Sequence, residues 1–197
     1  MNQFKFAVVT IIVVLFSAAA FGQTDSGGRG ARPISRTYGF VGTLADVGLY
    51  YSQTAATATP SAGNTFDNST SVYDVKLGYI SESHFYVGGL YTVGSDSQVS
   101  ASRVSRYTGG AGLGYFAYNG FNLRAYYIFD STYGDYKSGT GYQADLGYAI
   151  NPTSTFYLGV ALSLREVKYT TNQTIAAFES WTRKETYPFV TLGFLFY

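Results

Sequence analysis

The 197-residue chain reads as an all-β protein, with eight antiparallel strands connected up-and-down and closed into one barrel. Three observations predict this. Apolar and polar residues alternate with period two in one segment after another, which marks a strand with two unlike faces. The connections between segments alternate strictly between short and long. Finally, the sequence runs out on TLGFLFY, residues 191 to 197, with no polar tail, where a soluble domain usually frays into water.

Composition sets the solvent for such a sheet. Aromatic residues make up 18%, with 20 Tyr and 15 Phe, and charged residues only 13%, about half the ~25% usual for soluble domains. Mean hydropathy is nevertheless only +0.02, so the apolar residues are interleaved with small and polar ones. That mixture suits membrane-crossing strands better than apolar helices.

The one long apolar run lies at the start. Residues 1–22 combine a positive beginning at Lys5, an apolar stretch from Phe6 to Phe16, and small residues leading to Ala20 and Gly22. This predicts a secretory signal peptide cleaved before Gln23; the alternative is an uncleaved anchor over Phe6 to Gly22. Residues 23–36, rich in Gly and Arg, read as a flexible periplasmic lead-in, and 37–197 as the barrel. With no Cys, the exported chain must hold together by packing and hydrogen bonds, without disulfides. Of the 13 basic residues only Lys5 precedes Gln23, leaving 12 against 12 acidic ones. No basic cluster points to nucleic acid.

The strands follow in order at about 40–53, 71–80, 85–94, 104–118, 121–131, 140–150, 156–168 and 183–197. In the second, Tyr73, Val75, Leu77 and Tyr79 alternate with Asp74, Lys76 and Gly78. In the fifth, Phe121, Leu123, Ala125, Tyr127 and Phe129 alternate with Asn122, Arg124, Tyr126, Ile128 and Asp130. The sixth and seventh repeat the pattern around Asp145 and Arg165. Residues 81–84, Asn119-Gly120 and 151–154 are tight hairpin turns, Asn-Gly being the preferred type I′ pair. Residues 54–70, 95–103, 132–139 and 169–182 are long polar loops. Up-and-down strands put all short turns at one rim and all long loops at the other.

That conjunction resembles a small bacterial outer-membrane β-barrel of the OmpA/OmpX type, over nearly the whole length from Thr37 to Tyr197. The resemblance implies insertion in outer-membrane lipid and handling by a barrel assembly machinery that reads an aromatic C-terminal signal, here Phe194, Phe196 and Tyr197. It also implies surface loops able to contact an extracellular ligand. Tyr51, Tyr73, Tyr115 and Tyr148, with Trp181, would form interfacial girdles. The phase of the last strand is open: family habit turns Tyr197 outward, whereas the more apolar outer face carries Val190, Leu192, Phe194 and Phe196, with Glu185, Thr191 and Gly193 inside.

The same phases turn Asp46, Asp74, Lys76, Arg106, Arg124, Asp130, Asp145 and Arg165 into the lumen, four acidic and four basic. An eight-stranded barrel is just wide enough for side chains to fill, and Tyr126, Ile128, Phe116, Tyr118 and Tyr157 are placed to help. Two readings follow: an ion-paired plug with interaction roles left to the loops, or a narrow pore or transporter gated by those pairs. A third, a soluble periplasmic lipocalin-like binder, would invert the faces.

Catalytic, cofactor and metal sites are not readable. The only His, His84, falls in a short turn away from the loops, where a solvated residue is expected, and no Cys or second His exists to bind metal. Asp67 and Asp96 are loop acids at most able to bind calcium weakly. The glycines from Gly109 to Gly114 open no helix and make room in a narrow lumen.

Overall fold

The computed structural model describes residues 40–57, 65–98, 101–150, 155–175 and 177–196. The expected leader at 1–22, the segment 23–36 and Tyr197 lie outside the described residues, which contain no helix. The strands are β1 (Gly42–Thr57), β2 (Thr65–Ile80), β3 (Phe85–Gln98), β4 (Ala101–Phe116), β5 (Phe121–Tyr133), β6 (Tyr136–Lys137), β7 (Thr140–Ile150), β8 (Phe156–Tyr169), β9 (Thr171–Asn172) and β10 (Trp181–Phe196). Eight of them are long. These run β4-β3-β2-β1-β10-β8-β7-β5, and β4 pairs with β5 to close the ring. All pairings are antiparallel, and β1 meets β10 with Val47 opposite Leu192. The two-residue β6 and β9 form a small ribbon at the loop rim.

Period-two alternation becomes two walls. Phe121, Leu123, Ala125, Tyr127 and Phe129 are exposed outward, while Asn122, Arg124, Tyr126 and Ile128 are buried inward. In β10, Val190, Phe194 and Phe196 point out and Phe189, Thr191, Gly193 and Leu195 point in, so the last strand adopts its more apolar phase. Each residue pays for strand order with backbone entropy; closure offsets that by leaving no unpaired edge.

Several expectations are corrected. Two of the four expected loops contain much more strand: β1 runs to Thr57 and β2 starts at Thr65, while β3 and β4 are separated only by residues 99–100. The sequence there is polar at successive positions, Ser95, Asp96, Ser97 and Gln98, so no alternation marks the strand. The Asn119-Gly120 turn is not type I′, because only Gly120 adopts positive φ, at 89°. Its N–H donates to the Ala117 carbonyl at 3.0 Å, giving a type I turn closed by a left-handed glycine.

Four side chains also differ from expectation. Asp130 is exposed rather than luminal, because a bulge pairs Gly109 with Asp130 and Gly110 with Ile128, leaving Phe129 as an extra residue that flips the phase. Tyr118 leaves the strand at the turn and stands 63% exposed. It covers His84, with ring centroids 3.9 Å apart, so His84 is buried, not solvated. Trp181 shares the inner phase of β10 and packs on Tyr169 and Tyr136 at the loop end instead of joining an outer girdle.

Candidate functional site: the filled lumen

The lumen is built in layers, each set by which residue the inward phase delivers at that height. At the turn end, Phe40, Leu44, Ile80, Tyr86, Phe116, Tyr126 and Tyr157 form a buried, mostly aromatic floor. Phe40 lies 5.6 Å from Phe116 and 5.9 Å from Tyr157, centroid to centroid. Glycines against three of the rings, those of Tyr86, Tyr126 and Tyr157, help make this possible. A Cβ at Gly193 would stand 2.0 Å from Tyr157, and one at Gly112 would stand 2.5 Å from Tyr126. Within the run Gly109 to Gly114, Gly112 and Gly114 thus seat the side chains of Tyr126 and Arg124 against the wall.

Next comes a network of three carboxylates and three cations. Arg124 binds Asp46 at 2.6 Å, Lys76 binds Asp145 at 2.7 Å, and Arg165 binds Asp74 at 3.0 Å. Gln143 ties the pairs together: its amide donates to both Asp74 and Asp145 at 2.9 Å, and its carbonyl accepts from Arg165 at 2.7 Å. Thr92 and Ser163 donate to Asp74 and Asp145. These six charged groups have side-chain exposures of 0–2%. A buried charge is tolerated only when paired and hydrogen-bonded; the network pairs every charge with zero net charge, while Asp46 Oδ1 and Arg124 Nε are buried without a hydrogen-bond partner.

Nearer the loops stands a closed ring of four charges. Arg106 reaches Asp96 at 2.6 Å and Glu185 at 2.5 Å, and Arg183 reaches Asp96 at 2.9 Å and Glu185 at 2.6 Å. Tyr187 accepts from Arg106, and Tyr133 donates to Asp96 at 2.7 Å. Arg183 lies 3.8 Å over the Tyr133 ring, a stacking contact suited to a planar guanidinium. This ring is also neutral. Above it, Tyr169, Tyr136 and Trp181 form an aromatic lid around Ile128 and Val167.

Of the eight charges assigned to the lumen, the structure buries Asp46, Asp74, Lys76, Arg106, Arg124, Asp145 and Arg165. Asp130 is the exception. Sequence reasoning missed Asp96, Arg183, Gln143 and, as an ion-pair partner, Glu185. Following the inward phase of β3 past Thr92 and Gly94 reaches Asp96, a strand residue bound to two arginines and not a loop calcium ligand. The inner phase of β10, through Thr191 and Glu185, likewise reaches Arg183.

On the loop side the ribbon shapes a shallow recess of about 500 Å³ whose walls include Arg103, Tyr133, Tyr136 and Asn172. Asn172 caps Thr174 and Ile175, and Thr174 donates to Asp135 at 2.7 Å. Comparison with known proteins finds no matching family model, no similar curated protein and no similar solved structure.

Proposed function

We propose that this chain is an integral outer-membrane barrel whose lumen is a side-chain plug, leaving the loop rim for structural or interaction roles. The observation that carries the reading is the inversion of its walls. Leu77, Leu113, Leu123, Phe129, Tyr142 and Phe196 stand 58–68% exposed on the outside, among many others, while paired charges fill the inside. A soluble ligand-binding barrel needs the reverse, an apolar cavity under a polar exterior. Contiguous apolar surface of this extent calls for a covering phase.

Dimensions agree with a bilayer. On β5 the apolar outer row runs from Phe121 to Phe129; eight steps at ~3.3 Å, tilted by 35–45°, give a band roughly 20 Å tall, close to the ~25 Å typical of such barrels. Strands β1 to β4, of 14–16 residues, exceed the ~9–11 needed to cross and so carry polar extensions beyond the band. Phe194, Phe196 and Tyr197 are the assembly signal in this reading. Two neutral charge layers and an aromatic floor favour closure over an ion path, which would require mobile or unbalanced charge.

The test is conductance of refolded residues 23–197 in a planar bilayer. Insertion without steps is expected, with leakage appearing in Arg124→Ala. Discrete steps from the native sequence would overturn the plug, and a detergent-free soluble monomer would overturn the membrane reading.

A further inference from the structure

Among the described residues the outer wall is largely apolar, and on β7, β8 and β10 cations stand above a hollow. The register of β7, β8 and β10 stacks outward residues in rows across these strands. Leu146, Leu162 and Pro188 form one row; above it lie Ala144, Leu164 and Thr186, then Tyr142, Glu166 and Lys184, then Thr140, Lys168 and Thr182. The small residues Ala144 and Thr186 flank Leu164 beneath the longer Tyr142 and Lys184, leaving a depression of about 400 Å³.

Its chemistry changes with height. The floor continues the apolar row below, Tyr142 supplies an aromatic wall, Lys184 stands at the upper rim, and Lys168 follows in the next row up. Lys184 pairs with Glu166 at 3.1 Å, with side chains 75% and 54% exposed. Lys168 is exposed and has no ion-pair partner among the described residues. The two rows at and above the rim therefore have a net positive charge and one uncommitted ammonium, set where apolar wall gives way to polar wall.

We propose that this depression binds one membrane lipid bearing a phosphate headgroup. The phosphate sits on Lys168 and shares Lys184 with Glu166, while an acyl segment lies along Ala144 and Leu164 against Tyr142. Charge complementarity and continuity with the apolar wall select this occupant over a protein partner, because the floor opens onto that wall and the cations lie only at its upper edge. The inference rests on the membrane reading. Near a bilayer surface each lysine strengthens attraction to an anionic headgroup by about fivefold, and salt screens this attraction.

The experiment inserts the refolded protein into vesicles of four parts phosphatidylcholine to one part phosphatidylglycerol, extracts it gently, and measures retained phosphatidylglycerol by native mass spectrometry. Lys168→Gln/Lys184→Gln should retain at least fivefold less than the native protein, and Ala144→Trp should lose the lipid with no change of charge. Equal retention by the native protein and both variants, at equal insertion, would overturn the site and leave the membrane reading standing. A native protein that fails to float with the vesicles would overturn the membrane reading on which the site depends.

Discussion

The two charge layers of the lumen solve the same electrostatic problem with different margins. In the turn-side layer, Asp46, Asp74, Lys76, Asp145, Arg124 and Arg165 are all but sealed from solvent and tied together by Gln143, Thr92 and Ser163. The loop-side ring of Asp96, Arg106, Glu185 and Arg183 is wetter, with Arg183 21% exposed and each carboxylate holding two arginines. The first layer has little redundancy, since Asp46 depends on one close cation, Arg124. The second is redundant, since either arginine alone still reaches both acids. Depth converts the same ion pair from a modest contact into a structural necessity, because a charge left unpaired costs far more where water cannot reach it.

Substitutions can break or sharpen that contrast. Arg124→Met should have the largest effect. It strands the buried Asp46 charge and should destabilise the barrel by about 3–5 kcal/mol, read from the urea midpoint of the lipid-refolded protein. A loss no greater than that of a loop-side variant would abolish the distinction between layers.

Gly193→Ala comes next. Its methyl would lie 2.0 Å from the Tyr157 ring, itself held by Phe40, and the forced repacking should lower stability by about 1–3 kcal/mol. Adding Tyr157→Leu should recover part of the loss; no recovery would mean the clash is not the cause.

Arg183→Ala removes one member of the redundant ring and should lower stability by about 1 kcal/mol or less. It should also shift the emission of the single tryptophan, because Arg183 lies 5.9 Å from the Trp181 ring. Unchanged emission would argue against that stacking in solution. Smallest of all, Lys184→Ala breaks an exposed pair with Glu166 and should change stability by about 0.5 kcal/mol or less, which thermal unfolding at two salt concentrations can check.

Most of the lumen was legible because alternation assigns a face to every residue of a regular strand. Arg124, Asp145 and Arg165 sit in uninterrupted period-two runs, and all three are luminal. Legibility ended where the period did. Phe129 is one residue too many opposite β4, and nothing in YYIFDSTY announces the bulge that turns Asp130 outward. Asp96 was hidden for a different reason: its neighbours are polar on both faces, so the strand that carries it reads as loop. His84 was misread because its burial depends on Tyr118, a turn residue whose direction no strand phase controls.

The sequence by itself determined the fold class, strand order, closure and two unlike walls, because those follow from local period and turn placement. Tertiary structure alone decided which charge meets which. Asp46 and Arg124 lie 78 residues apart, and Arg165 and Asp74 lie 91 apart. Their meeting depends on strand register, barrel stagger and glycines that let long side chains cross the lumen, and no local pattern encodes those distances.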